Sequence, residues 1–297
     1  MDINQTKGKL KCHRCEVCSG YGCIGELPGL GGVFESKNFQ LNCKGWKDFS
    51  EKALSENSDL FNSIIVKPED LRCGPVTGAM ENIGYANEKD FYFPYLNNAF
   101  SSGIGLCVGD GCPDEKLLNG IEAVKKIGTK AAFFLKPYPD EKLAERVQWV
   151  KPYAEFIGID IDSFNIVTMR NLVHLERKTK QQLENFRNLF DVPFVIKGVF
   201  TKEDIDLVKE VKPDVVYISN HGGRVETRIG STADFLFEHG SELKKYCKEL
   251  WIDGGIRCND DVKAAMYYGA NKVIAARPFI RGTFDEDYDK IIEKMVK

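Results

Sequence analysis

The sequence predicts a closed (β/α)8 barrel behind a short cysteine-rich extension, and three observations predict it. From about residue 70 onward, eight short runs rich in Val, Ile and Phe alternate with longer amphipathic, charge-rich segments, which is the rhythm of βαβ units. The short runs are apolar throughout rather than at every second residue, as expected where both faces of a parallel sheet are covered. Eight such units in about 225 residues suit a closed barrel of the TIM type better than an open doubly wound sheet.

The strands are expected at 71–76, 104–108, 131–135, 156–160, 194–197, 215–219, 250–253 and 272–276. Helices are expected at 114–127, 140–153, 179–190, 202–211, 232–247, 260–268 and 284–296, most of them with apolar residues at i, i+3 and i+4. Leu117, Leu118, Ile121 and Val124 show the pattern. Thr201-Lys-Glu-Asp and Thr179-Lys-Gln-Gln resemble helix-capping sequences, and Pro113-Asp114 and Pro139-Asp140 are entry signals. Residues 1–70 read differently: they are polar and turn-rich, with one helical stretch near 46–55. The expected division is therefore an extension over 1–70 and a barrel over 71–297.

Composition sets the outer limits. At 297 residues, 43% hydrophobic and 29% charged, the chain is neither disordered nor fibrous. A chain of this length buries roughly three quarters of its unfolded surface and needs no disulfide staples, so its ten cysteines need another reason. Forty-one basic against forty-four acidic side chains give a formal charge of −3, which leaves no overall footprint for nucleic acid or an anionic membrane. Any anion site must be local. The clean apolar runs fall far short of the roughly 20 residues that span a bilayer, so no membrane helix is expected. The polar N-terminus lacks the regions of a secretory signal, and a cytoplasmic location is the expectation.

Ligands of parallel α/β proteins bind at the carboxyl ends of the strands, and four of these ends are unusual. Strand five ends in Ile196-Lys197-Gly198, strand six in Ser219-Asn220-His221-Gly222-Gly223-Arg224, strand seven in Asp253-Gly254-Gly255-Ile256-Arg257, and strand eight in Ala276-Arg277-Pro278-Phe279. Gly254 and Gly255 expose backbone N–H groups, Arg257 and Arg277 can grip oxyanions, and the loops after strands seven and eight are the usual barrel phosphate site. The expected ligand bears a phosphate. His221 can act as a base near neutral pH, Arg224 can pair with a carboxylate, and Lys197 sends a cation into the barrel mouth.

These four segments, in this order and spacing, closely resemble the FMN-dependent α-hydroxy-acid oxidase/dehydrogenase family over about residues 70–280. The resemblance implies oxidation of a small L-2-hydroxy acid to the 2-oxo acid, with FMN as cofactor. His221 would remove a proton from the substrate, Arg224 would bind its carboxylate, and Lys197 would stabilise negative charge at the N1–O2 side of reduced flavin. Pro75, Val76, Thr77 and Gly78 match the segment that lies against the flavin ring. Ser219, Gly222, Asp253, Gly254, Gly255, Arg257, Ala276 and Arg277, with Lys197, complete the implied cofactor contacts, and Asp160 matches the acidic residue that ends strand four. The chain departs from the family at strand three, where Phe134-Leu135-Lys136-Pro137 replaces Gln-x-Tyr, and Ala276 replaces a usual glycine. Arg170 and Arg177 are both candidates for a second substrate arginine. Two other readings stay open: another FMN barrel reaction, such as a reductase or an isomerase like the type II isopentenyl-diphosphate class, and a metal- or redox-sensing protein on a degenerate barrel. The electron acceptor is not legible, and a homo-oligomer is compatible with the exposed barrel exterior.

Cys12, Cys15, Cys18 and Cys23 form a C-x2-C-x2-C-x4-C string. Thiolates at this spacing can wrap one tetrahedral metal or reach several irons, so zinc or an iron–sulfur cluster is expected there, with redox or disulfide chemistry and plain packing as the alternatives. The spacing does not separate the two, and His13 or Cys43 are further candidate ligands.

Overall fold

The structure, a computed structural model, describes residues 37–165, 173–225, 227–285 and 287–297, with the side chains at 81, 82 and 165 excepted. The cysteine string Cys12, Cys15, Cys18 and Cys23, together with His13 and Arg170, lies outside the described residues. Eight parallel strands run β1 (Leu71–Cys73), β2 (Cys107–Gly109), β3 (Ala131–Leu135), β4 (Ala154–Asp160), β5 (Phe194–Val199), β6 (Val215–Ile218), β7 (Glu249–Ile252) and β8 (Lys272–Ala275). They pair in the order β1-β8-β7-β6-β5-β4-β3-β2. The ring closes where Arg72 bridges Gly105, through Cys73 N–H donating to Gly105 O at 2.9 Å and Gly105 N–H to Leu71 O at 3.0 Å. The predicted barrel is therefore the fold.

β1 stops earlier than its apolar pattern suggests. Gly74 N–H still reaches Ala275 O, but Pro75 has no N–H to continue the ladder. Inside the ring, Arg72 sits 4.7 Å from the centroid of Trp251 and 5.3 Å from that of Phe156. It donates to Leu106 O and to Glu155, so the buried charge is both paired and stacked.

The helices outside the ring are α1 (Lys37–Ser63), α2 (Lys89–Ser101), α3 (Glu115–Ile127), α4 (Asp140–Val150), α5 (Lys180–Arg187), α6 (Lys202–Val211), α7 (Thr232–Leu243), α8 (Asn259–Tyr267), α9 (Arg277–Asp285) and α10 (Tyr288–Val296). Thr179 and Thr201 cap α5 and α6 as read, each accepting from the backbone N–H three residues on. α2 is an addition to the expected set. Pro94 within it and its mixed aromatic sequence hide the period, yet it buries Phe91, Tyr92, Tyr95, Leu96 and Ala99. The single helix expected over 284–296 is instead two. α1 is far longer than its expected core, with non-helical dihedrals at Asn57. Its buried face, Asn38, Phe39, Asn42, Cys43, Trp46, Ser50 and Ala53, follows the helical period but is half polar. None of the described helices is long and apolar enough to cross a membrane.

Candidate active site

The sheet register sets the heart of the site. Asp160 ends β4 beside Lys197 on β5, which lies beside Tyr217 on β6. Asp160 Oδ1 accepts from Lys197 Nζ at 2.8 Å, and Oδ2 accepts from Lys136 Nζ at 2.8 Å. His221 turns Nδ1 to the two oxygens of Asp162, at 3.1 and 3.3 Å, with Asp160 Oδ1 slightly farther at 3.5 Å.

Electrostatics separate the two carboxyls. Burial opposes the Asp160 charge, but His221, Lys136 and Lys197 outweigh it and hold this group well below the usual carboxylate range. Asp162 goes well above it, through burial and the neighbouring Asp160 charge. Burial also carries the His221 imidazole well below its ordinary 6.5, helped by the charges of Lys197, Lys136 and Arg224 against the pull of Asp160. His221 is therefore a neutral base at neutral pH. Lys197 is held protonated despite burial by Asp160, Asp162 and Asp253.

The loop carrying His221 is built on left-handed backbone: φ is +57° at His221, +64° at Gly222 and +91° at Gly223. A histidine in this region needs outside support. Ser219 Oγ accepts from His221 N–H at 3.1 Å, and Asn220 Oδ1 accepts from Gly223 N–H at 2.9 Å. Asn220 is gripped in turn by Asn42 of α1 through a reciprocal amide pair, at 2.8 and 3.0 Å. A Cβ at Gly223 would come 2.3 Å from the Phe39 backbone nitrogen. Gly223→Ala is thus expected to cost about 2–5 kcal/mol, combining left-handed strain with overpacking; denaturant unfolding would measure it.

At β7 and β8 the backbone makes a cradle. Gly254 and Gly255 have φ of +93° and +85°, and a Cβ at Gly255 would strike Asn42 O at 2.4 Å. Trp46 Nε1–H donates to Gly254 O at 2.6 Å. Arg257 donates to Ile256 O and lies 3.6 Å from Cys43 Sγ, and Arg277 stands 5.8 Å from the Phe39 ring centre. The two predicted phosphate arginines thus flank the first turns of α1. Asp253 Oδ2 accepts from Tyr217 OH at 2.8 Å, whereas Oδ1 is buried with no hydrogen-bond partner among the described residues. That orphaned acceptor suits a ribityl hydroxyl, and the glycine N–H groups and arginines suit a phosphate, so the residues present fit FMN. Next to β8, after β1, a Cβ at Gly109 would meet Pro75 O at 2.5 Å, so the end of β2 packs directly on the segment Pro75 to Gly78. The departure at Ala276 is accommodated: its methyl lies where a Cβ on Gly74 would be, 2.6 Å away.

Of the residues expected from sequence, His221, Lys197 and Asp160 meet at the mouth, and Arg224 is close enough for its charge to act on His221. Arg177 is exposed and its charge acts on Asp204 at the start of α6. Sequence reasoning missed Asp162, Lys136 and Asn42. Asp160, Asp162 and His221 present ligand atoms within 4.8 Å of one another, but both Asp160 oxygens already accept from ammonium groups, and the nearby cations oppose a metal ion.

Comparison with known proteins bears on the family and on the fold. The family model described as FMN-dependent dehydrogenase matches residues 124–289. A 2-hydroxyacid oxidase 2 from Bos taurus is 34% identical over 102 residues, covering 34% of this chain and 29% of that protein. An L-lactate dehydrogenase from Vibrio parahaemolyticus is 34% identical over 100 residues, covering 34% and 26%. These matches span under a third of the length of either relative. A mandelate oxidase variant solved with benzoyl-formic acid superposes with a TM-score of 0.61 at 19% identity, covering 88% of this chain and 89% of that one, a likeness of fold.

Proposed function

The chain belongs to the FMN-dependent dehydrogenase family, and from that premise we propose that it is an oxidoreductase that converts a small L-2-hydroxy acid to the 2-oxo acid. The observation that carries this reading is His221 at the mouth, backed on Nδ1 by Asp162 at 3.1 Å, with burial lowering its pKa and the charges of Lys197 and Arg224 acting on it. Proton removal from a hydroxy acid needs a base that is unprotonated at working pH and a cation for the carboxylate.

His221 takes the proton through Nε2, and the Asp162 carboxyl facing Nδ1 fixes the ring; the imidazolium that forms favours the ionised state of that carboxyl and is stabilised by it. Arg224 binds the substrate carboxylate. FMN, when bound, supplies the two-electron oxidising power that none of these side chains has. Lys197 keeps a positive charge at the mouth for the N1–O2 side of the flavin. Pro75, Val76, Thr77 and Gly78 would lie against its ring, while Ser219, Gly222, Asp253, Gly254, Gly255, Arg257, Ala276 and Arg277 would hold its ribityl and phosphate. The reading assigns 71–297 to this FMN barrel and 1–70 to the extension whose four clustered cysteines bind zinc or an iron–sulfur cluster.

Anaerobic absorption spectroscopy tests the function. The purified protein should be yellow and its flavin should bleach on addition of L-lactate or glycolate; a colourless chain that cannot be reconstituted with FMN would sink the reading. The bleaching rate should also stay level from pH 8 down through 6.5, because burial holds His221 well below that value, and fall only at more acid pH, as the base becomes protonated. A rate that halves near 6.5 would show an ordinary, solvated histidine.

A further inference from the structure

Lys136 directly follows β3 at the mouth and takes no part in the chemistry above. Its backbone N–H is fixed by Asp110 at 3.3 Å, and its own carbonyl accepts from Tyr138 N–H at 2.8 Å, a tight turn that sends the side chain inward. Among the described residues, Nζ has one hydrogen-bond acceptor, Asp160 Oδ2, so two of its three donors are unspent. Lys197 Nζ likewise has only Asp160 Oδ1. Asp160 is thus shared between two ammonium groups, and a buried ammonium with unspent donors gains from a further anion. His221 lies within reach of the charges of both Lys136 and Arg224. An anion beside the base would therefore meet the cations that follow both β3 and β6.

We propose that Lys136 supplies the second cationic contact to the substrate carboxylate, alongside Arg224, while still holding Asp160. A compact ammonium with three donors can serve both anions together, whereas a planar guanidinium fork spends its geometry on one. The ligand class this selects is a small monocarboxylate, a 2-hydroxy acid or its 2-oxo product. The inference rests on the hydroxy-acid reading of the site.

The experiment uses the FMN-loaded chain and two ligands that it cannot oxidise, pyruvate and its neutral amide pyruvamide, with binding read from the perturbation of the flavin spectrum. The wild type should bind pyruvate more tightly than pyruvamide. Lys136→Met should weaken pyruvate about 30-fold, the loss of one charge-assisted contact, and leave pyruvamide within about threefold. Lys136→Arg should restore most of the pyruvate affinity. If the methionine variant does not fold, Lys136→Gln carries the same comparison, since it keeps a donor to Asp160 without the charge. Unchanged pyruvate binding, an equal loss for both ligands, or a wild type indifferent to the carboxylate would each overturn the assignment. A failure of the hydroxy-acid reading looks different: wild-type flavin that no hydroxy acid bleaches.

Discussion

Replacing His221 with glutamine should leave FMN bound and slow its anaerobic reduction by a hydroxy acid by about two to four orders of magnitude, the range a general base contributes. Glutamine offers an amide of similar reach that can still meet Asp162, but it cannot accept a proton. The binding features are elsewhere: the cradle at Gly254 and Gly255, the arginines at 257 and 277, and Lys197 on its own strand are untouched by the change. Flavin content at wild-type level with reduction nearly lost is the expected pair of results. Undiminished reduction would remove the histidine from its role. Asp162→Asn gives a graded companion, since it leaves the imidazole in place but takes away the ionisable carboxyl facing Nδ1 at 3.1 Å. Loss of such a supporting partner is expected to cost about 10–100-fold, and it should fall on the limiting reduction rate rather than on the substrate concentration that half-saturates it. Asp160→Asn tests a different bond set, because that carboxyl is committed to Lys136 and Lys197.

How far the sequence could be read depended on where each residue's partners lie. The barrel was legible because its strands carry their own signal: Ala131–Leu135 is buried at every position, and no distant partner is needed to see it. The mouth was legible where glycine marks the strand end, since left-handed φ at Gly222, Gly223, Gly254 and Gly255 leaves a trace in composition. Lys136 left none. A lysine before a proline reads as a solvated loop residue, and only the turn fixed by Asp110 and Tyr138 directs it inward. Asp162 was overshadowed by Asp160, two residues earlier and at the formal end of β4; choosing between them requires knowing that two lysines occupy Asp160. α1 was read short because an amphipathic pattern counts apolar residues, and its buried face places Asn38, Asn42 and Ser50 where leucines would have been expected. Their partners are Val225 O, Arg228 O, Asn220 and Asp260 O, all more than 170 residues away along the chain.

Those distant bonds tie Asn42, outside the barrel, to the loops at its mouth. Its Oδ1 accepts from Asn220 Nδ2 and from Thr232 N–H, both at 3.0 Å, and its Nδ2 donates to Asn220 Oδ1 at 2.8 Å. Asn42→Ala would strand the Asn220 amide and the Thr232 N–H in a buried setting. At about 1–3 kcal/mol for each unsatisfied group, the expected loss is about 3 kcal/mol, measured by urea unfolding. Glu51→Ala, an exposed position on the same helix, should change stability by no more than about 0.5 kcal/mol. Asn220→Ala and the double variant complete a cycle, and because the two amides bond each other reciprocally, the combined loss should fall short of the sum by about 0.5–3 kcal/mol. The effect should reach the reaction as well. Asn220 Oδ1 also holds Gly223 N–H, so a slackened Asn220 loosens the left-handed turn that aims His221 at Asp162. Hydroxy-acid reduction of the flavin should therefore slow in Asn42→Ala even at temperatures where the protein remains folded. Asn42 lies outside the stretch matched by the family model, 124–289, which gives the experiment its edge. If stability and reduction are both unchanged, the barrel holds its own catalytic loop; if both fall, α1 is a working part of the site.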